Sequence, residues 1–408
     1  MKRHYIGMAM IAASVLVTMM LMGCEAPAVE AETAAAVKDA VKPAAKTVKR
    51  RRGFAAVEVQ RPARFPHRIW AACGFETKLP SYGWFGKAET KNLAKYPGNA
   101  TARAATPYGR TPGAIVTGMN PVPGPMMGKV NYMYCRYFIT GANRAIFQHY
   151  SLTRNDNNNV TVSGLTQGKW SEVTMNFTRD ARRNDGSKEA FKKGERMDDL
   201  KVFIRPAAEG KKVEFVIDDV IFFSEDPALP PEAEPFPNRV MFVAAFDTGI
   251  RPEATKQKFF PGEFAIPKSG PQGSHWAVAE AVPIPGADKS CVLLKLTPPR
   301  TVGQETKLRV RCWLKGAEKM KIVLHDATAM AGRLVELKGL PQGKWVTKYV
   351  NFTKDSIGGG KLSAGNKVDS LAFVVDGAGE KVKLYVDEIV LYDAGKPVKL
   401  AKGKPALP

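Results

Sequence analysis

GLTQGKWSEVTMNFTRD (Gly164–Asp180) recurs as GLPQGKWVTKYVNFTKD (Gly339–Asp355), with ten identities in seventeen positions at an offset of 175. Working outward, GFET (Gly74–Thr77) answers to AFDT (Ala245–Thr248), and Gly141-Ala142 to Gly316-Ala317. VEFVIDDVIFF (Val213–Phe223) answers to VKLYVDEIVLY (Val382–Tyr392). A period near 170 residues is too long for a solenoid unit and matches a whole domain, so the chain reads as a tandem of two related domains.

Within each repeat, short runs of Val, Ile, Phe, Tyr and Thr alternate with Gly, Pro and Asn turns, and no sustained 3.6-residue period appears. That pattern predicts all-β domains. KLRVRCWLK (Lys307–Lys315) is the clearest strand: Leu308, Val310, Cys312 and Leu314 face one way, Arg309, Arg311 and Trp313 the other. At the repeat offset, Met133, Cys135, Tyr137 and Ile139 point inward and Tyr134, Arg136 and Phe138 outward. Export permits disulfides, but the place of Cys135 and Cys312 on the apolar face favours buried thiols. Asn155–Asn159 (NDNNN) lacks the glycine and terminal glutamate of an EF-hand loop and reads as a polar turn.

Residues 1–23 read as a signal peptide: Lys2 and Arg3 precede an apolar run, which closes in Leu21-Met22-Gly23-Cys24. This ending resembles the lipobox of bacterial lipoproteins, in which the cysteine is lipidated; Glu25 behind it implies the outer membrane. An uncleaved membrane anchor is the alternative. Residues 24–66 are rich in Ala, Pro and Lys and read as a disordered basic tether. The first domain is expected over 67–226 and the second over 239–394. The proline-rich linker 227–238 between them should hold the two apart, and 395–408 forms a disordered basic tail.

The formal charge is +22, spread evenly: 68–226 and 239–393 each carry 23 basic and 16 acidic side chains, a balance of +7. Such a spread suggests attraction to anionic surface polymer rather than the single basic stripe of a nucleic-acid binder.

Each domain opens on Phe-Glu or Phe-Asp, carries a central Gly-Lys-Trp strand, and closes on apolar-Asp-acidic-apolar (Asp218-Asp219, Asp387-Glu388). This frame resembles the jelly-roll β-sandwich of carbohydrate-binding modules and other galactose-binding-like domains. The resemblance implies two antiparallel jelly rolls and a structural Ca2+ in each, held by Glu76 with Asp218 and by Asp247 with Asp387, since Ca2+ accepts carboxylates plus carbonyls in irregular geometry.

Sugar recognition sets aromatic planes against pyranose faces and, for acidic glycans, uses arginine forks. Candidate contacts are Arg309, Arg311 and Trp313 with His325, their counterparts Tyr134, Arg136 and Phe138 with His149, and a loop set of Tyr82, Trp84 and Phe85. For each, sheet packing or an interdomain contact is the competing role. Trp170 and Trp345, each following Gly-Lys, read as packing residues. There is no nucleophile elbow, HExxH, CxxC or phosphate loop. The expectation is therefore a non-catalytic envelope lipoprotein that binds acidic polysaccharide. A structural or protein-binding envelope lipoprotein is the alternative, and a polysaccharide-degrading enzyme comes third.

Overall fold

The computed structural model describes residues 64–395 apart from 67, 75–83, 87–88, 92–100, 104–113, 120–126, 185–186, 188, 190, 198, 205–212, 225–233, 247–260 and 275–276. Eight principal strands build the first half: β1 (Arg68–Cys73), β2 (Ala114–Met119), β3 (Asn131–Thr140), β4 (Arg144–Ser151), β5 (Asp156–Ser163), β6 (Ser171–Asn176), β7 (Asp199–Ile204) and β8 (Glu214–Ser224). The second half repeats them as β9 (Arg239–Ala244), β10 (Lys289–Thr301), β11 (Thr306–Lys315), β12 (Lys319–Asp326), β13 (Ala331–Lys338), β14 (Trp345–Asn351), β15 (Lys367–Asp376) and β16 (Lys383–Asp393).

In the first half one sheet runs β1-β8-β3-β6 and the other β5-β4-β7-β2, and every pairing is antiparallel. In the second half the corresponding orders are β9-β16-β11-β14 and β13-β12-β15-β10. This is the jelly-roll order, twice over. We call the sheet holding the first and last strands of each half the inner sheet, and the other the outer sheet.

The alternation in β3 and β11 does what it predicts. Met133, Cys135, Tyr137 and Ile139 join Phe147, Val160 and Val202 between the two sheets of the first half. Leu308, Val310, Cys312 and Leu314 join Ile322, Leu324 and Phe373 in the second. Each such side chain contributes about 1.5–3 kcal/mol by leaving water. Glycine ends both strands: Gly316, at φ 78°, lies so close to the backbone of Lys381 that a Cβ would fall 2.0 Å from its carbonyl oxygen. The four cysteines Cys73, Cys135, Cys291 and Cys312 are buried free thiols. Asn155 alone sits in the turn, at φ 54°; Asp156–Asn159 begin β5, correcting the reading of the whole run as a turn.

The two halves do not stand apart as the prolines suggested. A third apolar cluster joins them through the inner sheets, with Phe65, Ile69, Tyr134, Ile221 and Phe223 from one side and Phe236, Val240, Val390 and Tyr392 from the other. The proline-rich stretch carries Phe236 near its end, whose ring needs burial more than the chain needs extension. Phe236 packs on Tyr134 and Phe223, with centroids 5.4 Å away in each case.

Candidate functional site

The outward faces of β3 and β11, where the sequence placed glycan-binding arginines, form this contact between the halves. Tyr134 is fully buried, Arg309 is 2% exposed, and Arg309 lies over the Phe65 ring at 5.5 Å. Their charges meet acids from the strands that close each half. A bulge in β8 and another in β16 place Asp219 and Glu388 at φ 47°, a region few side chains enter. The bulged acids meet arginines at the contact, Asp219 facing Arg136 and Glu388 facing Arg309 and Arg68.

Arg309 pairs with Glu388 at 3.1 Å, and Arg68 approaches the same carboxylate at 3.8 Å. Arg136 meets Asp219 at 3.1 Å and Glu172 at 3.3 Å, and donates to the Asn238 carbonyl. Arg311 lies 3.6 Å from Asp387. Burial, then the neighbouring Glu388 charge, pushes the Asp387 carboxyl up to about 8 despite Arg68 and Arg311.

These pairings bear on calcium. Asp218 and Asp387 are both buried, and each turns one oxygen to the next backbone N–H at 2.7 Å. Arg311 stands 3.6 Å from the other oxygen of Asp387, and the Glu388 carboxylate is its chain neighbour. The other two proposed ligands, Glu76 and Asp247, lie outside the described residues. Among the described residues no group of three His, Cys, Asp or Glu converges on one point.

The aromatic residues of the same faces pack against their neighbours. Phe138 is buried against Trp170 at 6.1 Å. Trp313 stands opposite both Trp345 and Tyr385 and meets the Tyr385 ring edge-on, at 5.5 Å and 73°. The Arg311 guanidinium covers Trp345 at 4.4 Å and donates to the Gly273 carbonyl. Trp345 thus keeps the packing role its sequence position suggested, and Trp313 shares it. His149 is fully buried between Phe177 and Phe222, at 4.4 and 4.8 Å, because the alternation of β4 turns it inward.

The inner sheets cover each other around Phe65 and Phe236, while Trp313, Trp345 and Tyr385 stay partly exposed, and the outer sheets offer two further faces. On the first, Lys201, Gln148 and Asn159 stand opposite one another across β7, β4 and β5. Gln148 donates to Asn159 at 2.7 Å and Asn159 to Asn184 at 2.6 Å, forming a chain of amides. Tyr150, Phe203 and Ile146 share the face, all partly exposed. Trp84–Gly86 is the edge strand of this sheet, paired with β2. Side chains there, and Tyr82, lie outside the described residues.

The second outer sheet carries an apolar row, Leu293–Ala372–Val323–Leu334, of which Val323 and Leu334 are partly exposed and Leu293 and Ala372 buried; Lys321 with the buried Val374 and Cys291 bounds it on one side, and Lys295, Ser370 and His325 on the other. His325 is held by Asp369 at 2.7 Å from Nδ1, in a bulge of β15. Of the sequence candidates, His149, His325 and the Trp84 strand belong to outer sheets, and His149 is turned into the core. Gln148, Asn159 and Lys201 are neither aromatic nor arginine and so fall outside the sequence pattern of a sugar site. Their signal was the polar alternation in RAIFQHYS and DNNNVTVS.

Solved structures that this chain resembles include carbohydrate-binding modules. One, TmCBM61 bound to beta-1,4-galactotriose, is 12% identical over 35% of this chain and 92% of its own, with a TM-score of 0.24. A family 11 module from Clostridium thermocellum with a mixed-linked tetrasaccharide is 16% identical over 39% and 95%, at 0.27. A xylan-binding family 22 domain is 16% identical over 38% and 95%, at 0.24. No protein-family model and no curated protein matches the chain. Likenesses this slight leave the function to the chain's own geometry.

Proposed function

We propose that this protein is a non-catalytic polysaccharide-binding protein of the cell envelope, anchored through Cys24. Its contacts would be made by the outer sheets. The observation that carries the reading is the row Lys201–Gln148–Asn159, three hydrogen-bonding side chains in register on a face shared with Tyr150 and Phe203. Amides both donate and accept, which suits vicinal hydroxyls, and lysine adds attraction to carboxylate or sulfate. Rings and aliphatic side chains beside them offer surface to the C–H faces of a pyranose. The lysine excess supports a preference for acidic polymers. The alternative, an envelope protein that binds another protein through these faces, predicts no glycan affinity.

Affinity electrophoresis of the full chain through a polyuronate, a sulfated galactan and a neutral β-glucan tests the reading. Retardation that is stronger in the acidic gels at low salt, and weaker in Gln148→Ala/Asn159→Ala, is expected. Mobility unchanged in all three gels would falsify it.

A further inference from the structure

We infer that this protein cross-links polysaccharide, joining two polymer chains rather than gripping one chain twice. The inference rests on the reading that both outer sheets bind glycan, and adds to it how the two sites are oriented.

The orientation follows from what buries the inner sheets. Phe65, which leads into the first half, packs against Tyr392 and Tyr349 of the second, and Phe236, which leads into the second half, packs against Phe223 and Tyr134 of the first. Phe65 and Phe236 are 171 positions apart, and Phe223 and Tyr392 are 169 apart, so the contact is reciprocal: equivalent surfaces face each other. The Arg309–Glu388 pair is sealed within the same contact, and the Arg136–Asp219 pair lies at its margin. Four sheets therefore stack in the order outer, inner, inner, outer. Sheets pack about 10 Å apart, which separates the two outer sheets by roughly 30 Å and aims their free faces in opposite directions.

A glycan lying on Gln148 and Asn159 would have to pass around the whole stack to reach Lys321 and Lys295. Linked sites yield avidity only where one ligand can engage both, and this geometry does not allow it for an extended chain. Two chains can be held at once, one on each side. The tandem repeat then produces a bridge.

Dynamic light scattering of the full chain, titrated into whichever of the three soluble polymers retards it in a gel, tests this. The wild type is expected to give a severalfold rise in particle size at intermediate ratios, reversing when protein is in excess and each polymer is coated singly. Gln148→Ala/Asn159→Ala and Lys295→Ala/Lys321→Ala should each still be retarded, more weakly, and lose the rise. Retardation of the wild type without any rise across the titration overturns bridging and leaves glycan binding standing, as does a rise that survives either double substitution. No retardation by any of the three polymers removes the binding reading and bridging together.

Discussion

The ring of Phe65 packs on Tyr392 with centroids 5.2 Å apart, although the two residues open and close different halves of the chain. Phe65 is fully buried there, between Tyr349 and the Arg309 guanidinium. The halves are thus held by side chains that precede their first strands. Phe65→Ala should cost about 3–5 kcal/mol, as for other buried phenylalanines. Chemical denaturation checks this; a loss below about 1 kcal/mol would mean the halves are not joined through this ring.

The Arg309–Glu388 pair should respond to single and double substitution differently. Arg309→Met leaves Glu388 buried with only the more distant Arg68, and is expected to cost about 3–5 kcal/mol. Arg309→Met with Glu388→Leu removes both charges and should recover most of that loss, since apolar replacements of a buried pair are often neutral or better. Equal destabilisation in the single and double variants would contradict the pairing.

Asp387 makes stability depend on pH in an unusual direction for a carboxylate. Its folded value is raised to about 8 from an unfolded value near 3.8, so between these limits the folded state holds a proton the unfolded state has released. Its contribution is therefore full below about pH 4 and declines as pH rises toward 8, by at most about 1.4 kcal/mol per pH unit. Asp387→Asn should flatten the profile across that window. Thermal melts at pH 5 and pH 8 for both proteins measure it; identical slopes would count against the assignment.

All four cysteines between residues 64 and 395 should be inert in the native state. Burial pushes the Cys291 thiol up to about 11 and Cys312 to about 12, and raises Cys135 further with help from the Asp218 charge. A thiol-specific chromogenic reagent at pH 8 should react only after denaturant is added. Rapid native labelling of Cys135 or Cys312 would show that the cores open.

Calcium should add nothing to the second half through Asp387, whose outer oxygen faces Arg311. Melting curves with excess Ca2+ and with a chelator are expected to coincide. A rise of several degrees with Ca2+ would place a site elsewhere.

Local order carried the fold in the sequence itself. Period-two alternation in KLRVRCWLK and NYMYCRYFIT dictates which side chains meet a core, because a strand turns successive residues to opposite faces. Repetition of GLTQGKW and GLPQGKW dictates that the same jelly roll forms twice. What alternation leaves open is whether the other face meets water or protein. The arginines on β3 and β11 and the acids on β8 and β16 are separated by about 80 residues within each half, and only the tertiary contact brings them together. There the arginines read as glycan ligands meet Asp219 and Glu388, each the chain neighbour of an acid read as a calcium ligand. Desolvated charge requires a partner, and the aromatic rings of Phe65 and Phe236 decided which faces would be desolvated.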